Sequence, residues 1–303
     1  MRTVEWNTET HKLLMIDQRL LPEKLEIVAF SDYHDVASAI REMVVRGAPV
    51  IGAAAGFGLA LAGFQSRAQT TDGLIRDLEQ AAQHLKEARP TAVNLEWALT
   101  RIFTHFQNFS GTSDELRQFI LNLAQQLADD DVATNKRMAE NGAVLINDGD
   151  TVIHHCNTGA LATVDWGTAL GVIRTAHEQG KRVHVLVDET RPRLQGARLT
   201  AWELEQYGIS YEIITDNMAG FFLRSGQVKS VFFGGDRVAA NGDVANKIGT
   251  YMLALAAKDN GVNAYSVVPT STIDLSLADG SLIPIEERSP EEVLNIQING
   301  VQV

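Results

Sequence analysis

Cysteine occurs once among the 303 residues, as Cys156, and this scarcity excludes several kinds of site. No disulfide can close within the chain and no cysteine cluster can ligate a metal, so we expect a reduced, cytoplasmic setting. Residues 48–64 carry no charge and are rich in glycine, but they are shorter than the roughly 20 residues of a membrane helix. We interpret them as a buried helix. The N-terminus lacks the apolar core of a signal peptide.

Positive charge is also scarce, because 26 Lys and Arg residues stand against 38 Asp and Glu residues and give a net charge of −12. Nucleic acids and anionic membranes attract proteins through concentrated positive charge. We therefore expect neither of them as a partner. Hydrophobic residues make up 45% of the chain and charged residues 21%, which is typical of a folded globular protein and excludes a disordered one.

The first half of the sequence has the apolar spacing of helices. Four segments show it, at residues 36–44, 74–85, 94–106 and from Ser113 onward. Short strands are expected before them, at residues 4–6 and 24–28. We predict a mainly helical N-terminal domain over residues 1–130.

From Asp150 onward, short apolar strands alternate with helices. The predicted strands are residues 151–155, 183–187, 211–214, 230–233 and 264–268, and the predicted helices are 167–179, 198–207, 221–225 and 248–259. This alternation is typical of right-handed βαβ units on a mostly parallel sheet. We predict an α/β protein in which a Rossmann-like parallel-sheet domain, residues 131–303, follows the helical domain.

Polar residues follow every predicted strand of the second half. In an open α/β sheet, ligands bind beyond the carboxyl ends of the strands. The segments that follow the strands all carry functional groups, at residues 156–159, 188–191, 215–217, 234–237 and 269–272. The sequence therefore predicts a binding site at this edge of the sheet.

Cys156 follows the first of these strands and precedes a turn that contains Gly159. Backbone amides in such a turn and a nearby helix N-terminus favour the thiolate, which is the reactive form of the side chain. The alternative is a buried small hydrophobic residue, which describes most single cysteines. The position of Cys156 favours a chemical role.

Asp236 follows Gly234 and Gly235, where the missing side chains let the backbone approach a ligand. A carboxylate there can act as a general acid or base, or it can cap the next turn. Asn246 and Lys247 directly precede a predicted helix, which is the arrangement of an anion site unless Lys247 is an ordinary surface charge. Position alone leaves both pairs of alternatives open.

Two arginines in the helical half stand beside residues that interrupt helices. Arg46 and Gly47 precede Ala48 and the glycine-rich stretch, and Arg89 precedes Pro90. An arginine in such a turn can present its guanidinium group to a phosphate. The alternative is an ordinary turn between two helices.

No metal-binding or nucleotide-binding pattern is recognised in the sequence. His154 and His155 lie within a predicted strand, so their side chains point to opposite faces of the sheet and cannot ligate one metal there. Neither a G-x-G-x-x-G motif nor a Walker motif occurs. We predict no metal and no cofactor.

The polar segments form long motifs when they are read together. They are RGAPVIG at 46–52, HCNTGALA at 155–162, DETRPRLQGAR at 188–198, TDNMA at 215–219 and GDRVAANGDVANKIGT at 235–250. These motifs resemble the methylthioribose-1-phosphate isomerase family. Its broader superfamily includes regulatory subunits of a translation-initiation exchange factor, which are expected to lack the cysteine–aspartate pair. The resemblance runs from Trp6 to about Val293.

The resemblance implies an isomerase that converts 5-methylthioribose 1-phosphate to 5-methylthioribulose 1-phosphate in methionine salvage. By position, Cys156 and Asp236 match the catalytic pair of the family. The positions that bind substrate match seven residues, Arg46, Gly47, Ala48, Arg89, Gln195, Asn246 and Lys247. We also expect a sugar phosphate as the ligand and a homodimer.

The substrate explains why two reactive groups are required. Phosphate on the anomeric oxygen keeps the sugar in its ring form, so we expect Asp236 to open the ring and Cys156 to serve in hydrogen transfer from C2 to C1. Proton transfer and hydride transfer both remain open. The alternative functions are isomerisation of 5-deoxyribose 1-phosphate or ribose 1,5-bisphosphate, and a non-catalytic regulatory subunit that senses a sugar phosphate or nucleotide.

Overall fold

A computed structural model describes residues 1–90, 93–106, 109–295, 297–298 and 301–302. The chain forms two compact units. Unit 1 contains Met1–Arg137 and Thr158–Gly167, and unit 2 contains Met138–Asn157 and Thr168–Val303. The division predicted after residue 130 falls in helix α5(Ser113–Ala143), and the two units divide within the same helix, after Arg137.

Unit 1 is mainly helical, as predicted, with a small antiparallel sheet in the strand order β1-β2-β3. Its elements are β1(Val4–Asn7), β2(Lys12–Ile16), β3(Ile27–Phe30), α1(Tyr33–Arg41), α2(Ala48–Gln65), α3(Thr71–Ala88), α4(Val93–Phe106) and the first part of α5. Strand β1 confirms the prediction at residues 4–6, and β3 begins three residues later than predicted. Strand β2 was not predicted.

Helix α2 forms the centre of the core of unit 1. Buried residues occur on every side of it from Val50 to Gly63, and it contacts α1, α3, α4, β1 and β2. A fully buried side chain such as Phe57 contributes about 1.5–3 kcal/mol through burial of its apolar surface. By length and composition α2 passes as a membrane span, but 78% of it is buried inside the protein. The prediction of a buried helix is confirmed.

Unit 2 contains the predicted alternation of strands and helices. Its elements after α5 are β4(Thr151–His154), α6(Ala169–Glu178), β5(His184–Asp188), α7(Ala201–Tyr207), β6(Ser210–Ile214), α8(Ala219–Arg224), β7(Val228–Phe233), β8(Arg237–Ala239), β9(Val244–Ala245), α9(Thr250–Asp259), β10(Asn263–Ser266), β11(Ile273–Asp274), α10(Glu291–Leu294), β12(Gln297–Ile298) and β13(Val301–Gln302). A π-helical turn over Gly196–Thr200 leads into α7. The α/β fold class is therefore confirmed.

The main sheet of unit 2 is parallel, in the order β10-β7-β4-β5-β6. The chain builds the sheet outward from β4 in one direction through β5 and β6, and in the other through β7 and β10. In doubly wound folds, the crevice where the direction of building reverses is the usual binding site. Here that crevice lies between the carboxyl ends of β4 and β7.

Both faces of the three central strands, β4, β5 and β7, are buried, which is the reason that these strands are mainly apolar. Val152 and Phe232 pack with the buried side of α6 on one face. Ile153 and Val231 pack with residues of α8 and α9 on the other face. Alternate residues of β4 and β7 thus fill two separate cores, and the order of the strands is held from both sides.

Candidate active site

Cys156 and Asp236 follow the two strands that border the crevice of unit 2. Strand β4 ends at His154 and β7 ends at Phe233, and the two strands pair in parallel with His154 opposite Phe232. Neighbouring strands lie about 4.8 Å apart, so both side chains belong to the same edge of the sheet. The sequence predicted that each residue follows a strand, and the structure shows that the two strands are neighbours.

The backbone of Cys156 is held in a conformation that is unusual for a residue with a side chain. Its φ angle is +67°, and the residue is 7% exposed. The N–H group of Cys156 donates to Thr190 Oγ1 at 2.9 Å, and the hydroxyl group of Thr200 donates to the carbonyl oxygen of Cys156 at 2.7 Å. Both threonines are fully buried. The two hydroxyl groups therefore fix the peptide groups on both sides of the cysteine Cα.

Asn157 continues this buried network on the side of helix α7. Its amide Nδ2 donates to Thr200 Oγ1 at 3.1 Å and to Glu203 Oε1 at 2.8 Å. Glu203 is 1% exposed, and its other carboxylate oxygen accepts from the Tyr207 hydroxyl group at 3.1 Å. The chain that leaves Cys156 is thus anchored by polar side chains that sequence reasoning did not single out.

His155 and Asp188 form a buried pair at the ends of β4 and β5. His155 Nδ1 lies 2.8 Å from Asp188 Oδ2, and both side chains are 1% exposed. Burial raises the pKa of Asp188 to about 6, against the opposing effect of its hydrogen bond with His155. The expectation that His154 and His155 both lie within the strand is wrong, because β4 ends at His154 and His155 belongs to the loop.

Asp216 joins this pair to form the cluster of the described residues that could hold a metal, with one ligand atom from each residue within 4.8 Å of the others. Hydrogen bonds already engage both ring nitrogens of His155, Oδ2 of Asp188 and both carboxylate oxygens of Asp216, however. Asp216 accepts from the backbone N–H groups of Thr190 at 2.7 Å and Arg191 at 2.8 Å. Asp216 therefore fixes the loop after β5, and we assign the cluster a structural role.

Asp236 is exposed and begins a short hairpin after β7. Its backbone N–H group donates to the carbonyl oxygen of Ala245 at 2.8 Å, where β9 pairs with β8. Gly235 lets this loop pack closely, because an added Cβ would lie 2.9 Å from Val268 Cγ1 and 3.1 Å from Val244 Cγ1. The exposed carboxylate is therefore carried on a closely packed backbone.

Asn246 and Lys247 are half-buried and precede α9, which begins at Thr250, two residues later than predicted. Asn246 Nδ2 donates to Thr250 Oγ1 at 3.0 Å, and that hydroxyl group donates to the carbonyl oxygen of Lys247 at 2.7 Å. Thr250, the first residue of α9, thus holds the side chain of Asn246 and the backbone carbonyl group of Lys247. Helix N-termini favour anions, which suits a lysine that would bind phosphate.

Gln195 lies in the loop between β5 and α7 and is 6% exposed. Its Oε1 atom is buried without a hydrogen-bond partner among the described residues. Gly196 follows it, and a Cβ at this position would overlap the carbonyl oxygen of Asp188. The loop therefore needs glycine to bring Gln195 to the carboxyl end of β5.

In unit 1, Arg46, Gly47 and Ala48 lie at the start of α2. Gly47 caps the helix with a φ angle of +107°, and an added Cβ would overlap the carbonyl oxygen of Ala162 and lie 2.7 Å from its Cα. Arg46 is half-buried. Arg89 is also half-buried and caps the C-terminus of α3. The predicted residues therefore mark the ends of two helices of this unit.

The sequence and the fold of this chain match known proteins over most of its length. The profile of the initiation factor 2 subunit family matches residues 44–302. A protein named methylthioribose-1-phosphate isomerase 2, from Pseudothermotoga lettingae, is 50% identical over 292 residues, which cover 96% of this chain and 84% of that protein. The chain belongs to the methylthioribose-1-phosphate isomerase family.

Solved structures agree with membership of this family, and one of them also connects the chain to the translation initiation factor subunits. The crystal structure of 5-methylthioribose 1-phosphate isomerase from Pyrococcus horikoshii OT3 is 46% identical, with a TM-score of 0.93 over 100% of this chain and 84% of that one. A structure described as the delta subunit of translation initiation factor eIF-2B from A. fulgidus is 41% identical, with a TM-score of 0.89 over 100% of this chain and 87% of that one.

Proposed function

We propose that this protein isomerises 5-methylthioribose 1-phosphate to 5-methylthioribulose 1-phosphate in methionine salvage. The observation that carries the proposal is the arrangement of Cys156 and Asp236, which follow neighbouring strands at the crevice of the parallel sheet. A thiol and a carboxylate at one sheet edge are the two kinds of group that this isomerisation needs. Relatives at about half identity carry the name of this enzyme.

In this proposal Asp236 is the group that opens the sugar ring. The phosphate on the anomeric oxygen blocks formation of a free aldehyde, so the bond between C1 and the ring oxygen must break with a proton delivered to that oxygen. The carboxyl group of Asp236 delivers the proton and can later remove one from a hydroxyl group. Its exposure at the start of the hairpin leaves the side chain accessible to a bound sugar.

Cys156 serves in the transfer of hydrogen from C2 to C1. In one route its sulfur removes the C2 proton and an enediol-type intermediate is reprotonated at C1. In the other route the C2 hydrogen moves as a hydride, and Cys156 forms part of the pocket that encloses it. Deuterium from solvent at C1 of the product supports the first route, and complete retention of the C2 hydrogen supports the second.

Seven further residues are proposed to bind the substrate. Lys247, with Asn246 at the N-terminus of α9, supplies a positive charge for the phosphate, and Gln195 supplies hydrogen bonds from the loop after β5. In unit 1, the guanidinium groups of Arg46 and Arg89 are suited to phosphate, and the backbone at Gly47 and Ala48 begins a helix. The proposal includes no metal and no cofactor.

The first test compares three substrates and two variants. Purified protein is assayed with 5-methylthioribose 1-phosphate, 5-deoxyribose 1-phosphate and ribose 1,5-bisphosphate, and we expect turnover of the first to be fastest. Cys156→Ala and Asp236→Asn are each expected to lower kcat by about 10²–10⁴-fold while the fold survives. Asp259→Asn, at an exposed carboxylate at the end of α9, is the control and should leave kcat unchanged. Near-wild-type turnover by either site variant contradicts the assignment.

A non-catalytic regulatory subunit is the second candidate function. It is favoured by the 41% identity to the protein described as an initiation-factor delta subunit. The two candidates differ in the same assay, because a subunit that only senses a sugar phosphate or nucleotide would bind its ligand without converting it. Saturable binding without turnover of any of the three sugar phosphates would favour this second function.

We also propose that the protein is a cytoplasmic homodimer. Tyr251, Met252 and Leu255 of α9, together with Ile248 just before the helix, are apolar residues that are between 44% and 74% exposed. Light scattering after size exclusion should give twice the mass of the chain, and Tyr251→Lys combined with Leu255→Lys should give the monomer. Val144→Lys, at an apolar residue that is 73% exposed, is the control. Cell fractionation tests the location, for which the single cysteine Cys156 is the support.

A further inference from the structure

The imidazole group of His155 is bound at both of its nitrogen atoms. Nδ1 lies 2.8 Å from Asp188 Oδ2, and Nε2 lies 3.0 Å from the backbone carbonyl oxygen of Ile248. A carbonyl oxygen only accepts, so Nε2 carries a hydrogen. The bond at Nδ1 then joins either an imidazolium to a carboxylate or a neutral imidazole to a carboxylic acid. In both forms the pair keeps one shared proton, and the bond to Ile248 persists.

Gly249 brings the backbone of this segment against the ring. Its φ angle is +101°, and an added Cβ would lie 2.8 Å from Cε1 and 3.1 Å from Nε2 of His155. The backbone of residues 248 and 249 therefore packs on the imidazole and hydrogen-bonds to it. This segment directly follows Asn246 and Lys247 and leads into α9.

His155 thus connects two parts of the candidate site that are far apart in the sequence. On one side it is the residue that precedes Cys156, and on the other side it holds the carbonyl group of Ile248, 93 residues away. We propose that His155 and Asp188 are positioning residues, which fix the segment of Asn246 and Lys247 to the sheet edge that carries Cys156. This inference rests on the proposed function, because Asn246 and Lys247 bind the substrate in it.

The proposal predicts a particular pattern among variants of the pair. His155→Phe keeps the flat ring and removes both hydrogen bonds, so the segment that carries Lys247 is released. We expect a loss of about 10- to 100-fold in kcat/KM, mostly through a higher KM, because two buried hydrogen bonds are lost. Asp188→Asn is expected to retain most of the activity. The asparagine amide can donate to Nδ1 while Nε2 still donates to Ile248.

A matched pair of glycine variants tests the contact with the ring directly. Gly249→Ala and Gly242→Ala both add a methyl group at a positive φ angle, +101° and +91°, so the backbone cost is similar. Nothing lies within 4 Å of a Cβ at Gly242, whereas the Cβ at position 249 meets His155. We expect KM to rise about tenfold in Gly249→Ala and to stay at the wild-type value in Gly242→Ala. This pair decides the question if His155→Phe does not fold.

Hydrogen–deuterium exchange separates this proposal from the proposed function. Amide exchange of residues 246–253 is measured by mass spectrometry without substrate, and His155→Phe and Gly249→Ala should speed it, whereas Asp188→Asn and Gly242→Ala should not. That pattern in a protein without isomerase activity would support the positioning role and reject the function. Wild-type exchange and wild-type KM in both His155→Phe and Gly249→Ala would overturn the positioning role. An equal loss of kcat/KM in Asp188→Asn and His155→Phe would also overturn it.

Discussion

The hydroxyl group of Thr190 is expected to be essential for the geometry of Cys156. It accepts from the N–H group of Cys156 at 2.9 Å and donates to the carbonyl oxygen of Asp188 at 3.0 Å, in a fully buried position. Thr190→Val keeps the shape and the branching of the side chain and removes both bonds. A buried N–H group left without a partner costs about 1–3 kcal/mol, so with the second bond we expect a loss of about 2–4 kcal/mol in the free energy of unfolding.

Thr190→Val should also lower the activity, because the hydrogen bond with Thr190 helps to hold the backbone of Cys156. The φ angle of +67° at Cys156 costs about 1–2 kcal/mol in a residue with a side chain, and hydrogen bonds on both sides maintain it. Without the bond to Thr190, the backbone of Cys156 can relax to a negative φ angle and move the sulfur atom. A displacement of about 1 Å is enough to lower a rate about 10²-fold, so we expect kcat to fall by this factor with little change in KM.

The assay compares three proteins, wild type, Thr190→Val and Thr190→Ser. Urea denaturation gives the free energy of unfolding, turnover of 5-methylthioribose 1-phosphate gives kcat, and the rate of alkylation by iodoacetamide reports the environment of Cys156. Serine keeps the hydroxyl group and loses one methyl group, so Thr190→Ser should recover most of the wild-type kcat. Equal kcat values for Thr190→Ser and Thr190→Val would refute the reasoning, because the hydroxyl group would then not be what holds the cysteine.

Two further predictions concern unit 1. Gly47→Ala should lower the free energy of unfolding by about 2–4 kcal/mol in chemical denaturation, because it combines a positive φ angle with overlap at Ala162. The control is Gly180→Ala, which has a φ angle of +88° and open space around the added Cβ, and it should cost about 1–2 kcal/mol. Equal losses of stability in the two variants would contradict this prediction. Burial raises the pKa of Asp131 from 3.8 to about 6, so its contribution to stability is present below pH 4 and is lost as the pH rises through 6. The free energy of unfolding of Asp131→Asn should therefore rise relative to that of wild type by up to about 3 kcal/mol between pH 4 and pH 7. A difference in stability between the two proteins that does not change with pH would contradict the raised pKa of Asp131.

The elements of unit 2 were predictable because their apolar runs and helical spacings are local features. The position of Cys156 after one strand and Asp236 after another was visible for the same reason. That these strands are neighbours was not visible, since alternation of strands and helices does not give the order of strands in a sheet. The short hairpin of β8 and β9 was missed because strands of two or three residues have no period to detect.

The pair of His155 and Asp188 was beyond sequence reasoning for a related reason. Each residue was noted, His155 as part of a predicted strand and Asp188 as part of a polar segment after a strand, but their contact depends on β4 and β5 being adjacent. The bond from His155 to Ile248 also requires a loop from much later in the chain to return to the same edge. The glycine at position 249 was the available signal in the sequence, although a glycine does not identify the residue that it contacts.

Backbone strain offers an argument for chemistry at the sulfur atom that does not depend on relatives. Among the described residues, positive φ angles at residues other than glycine occur at His11, Met43, Cys156, Trp166, Thr190 and Leu194. Three of them, Cys156, Thr190 and Leu194, lie in the loops after β4 and β5. Strain of this kind persists where the surrounding structure enforces it, and it clusters at functional sites. Buried threonine hydroxyl groups hold Cys156 in this strained conformation, so the loops after β4 and β5 fix the direction in which its side chain points, and a fixed direction is what a chemical role of the sulfur atom requires.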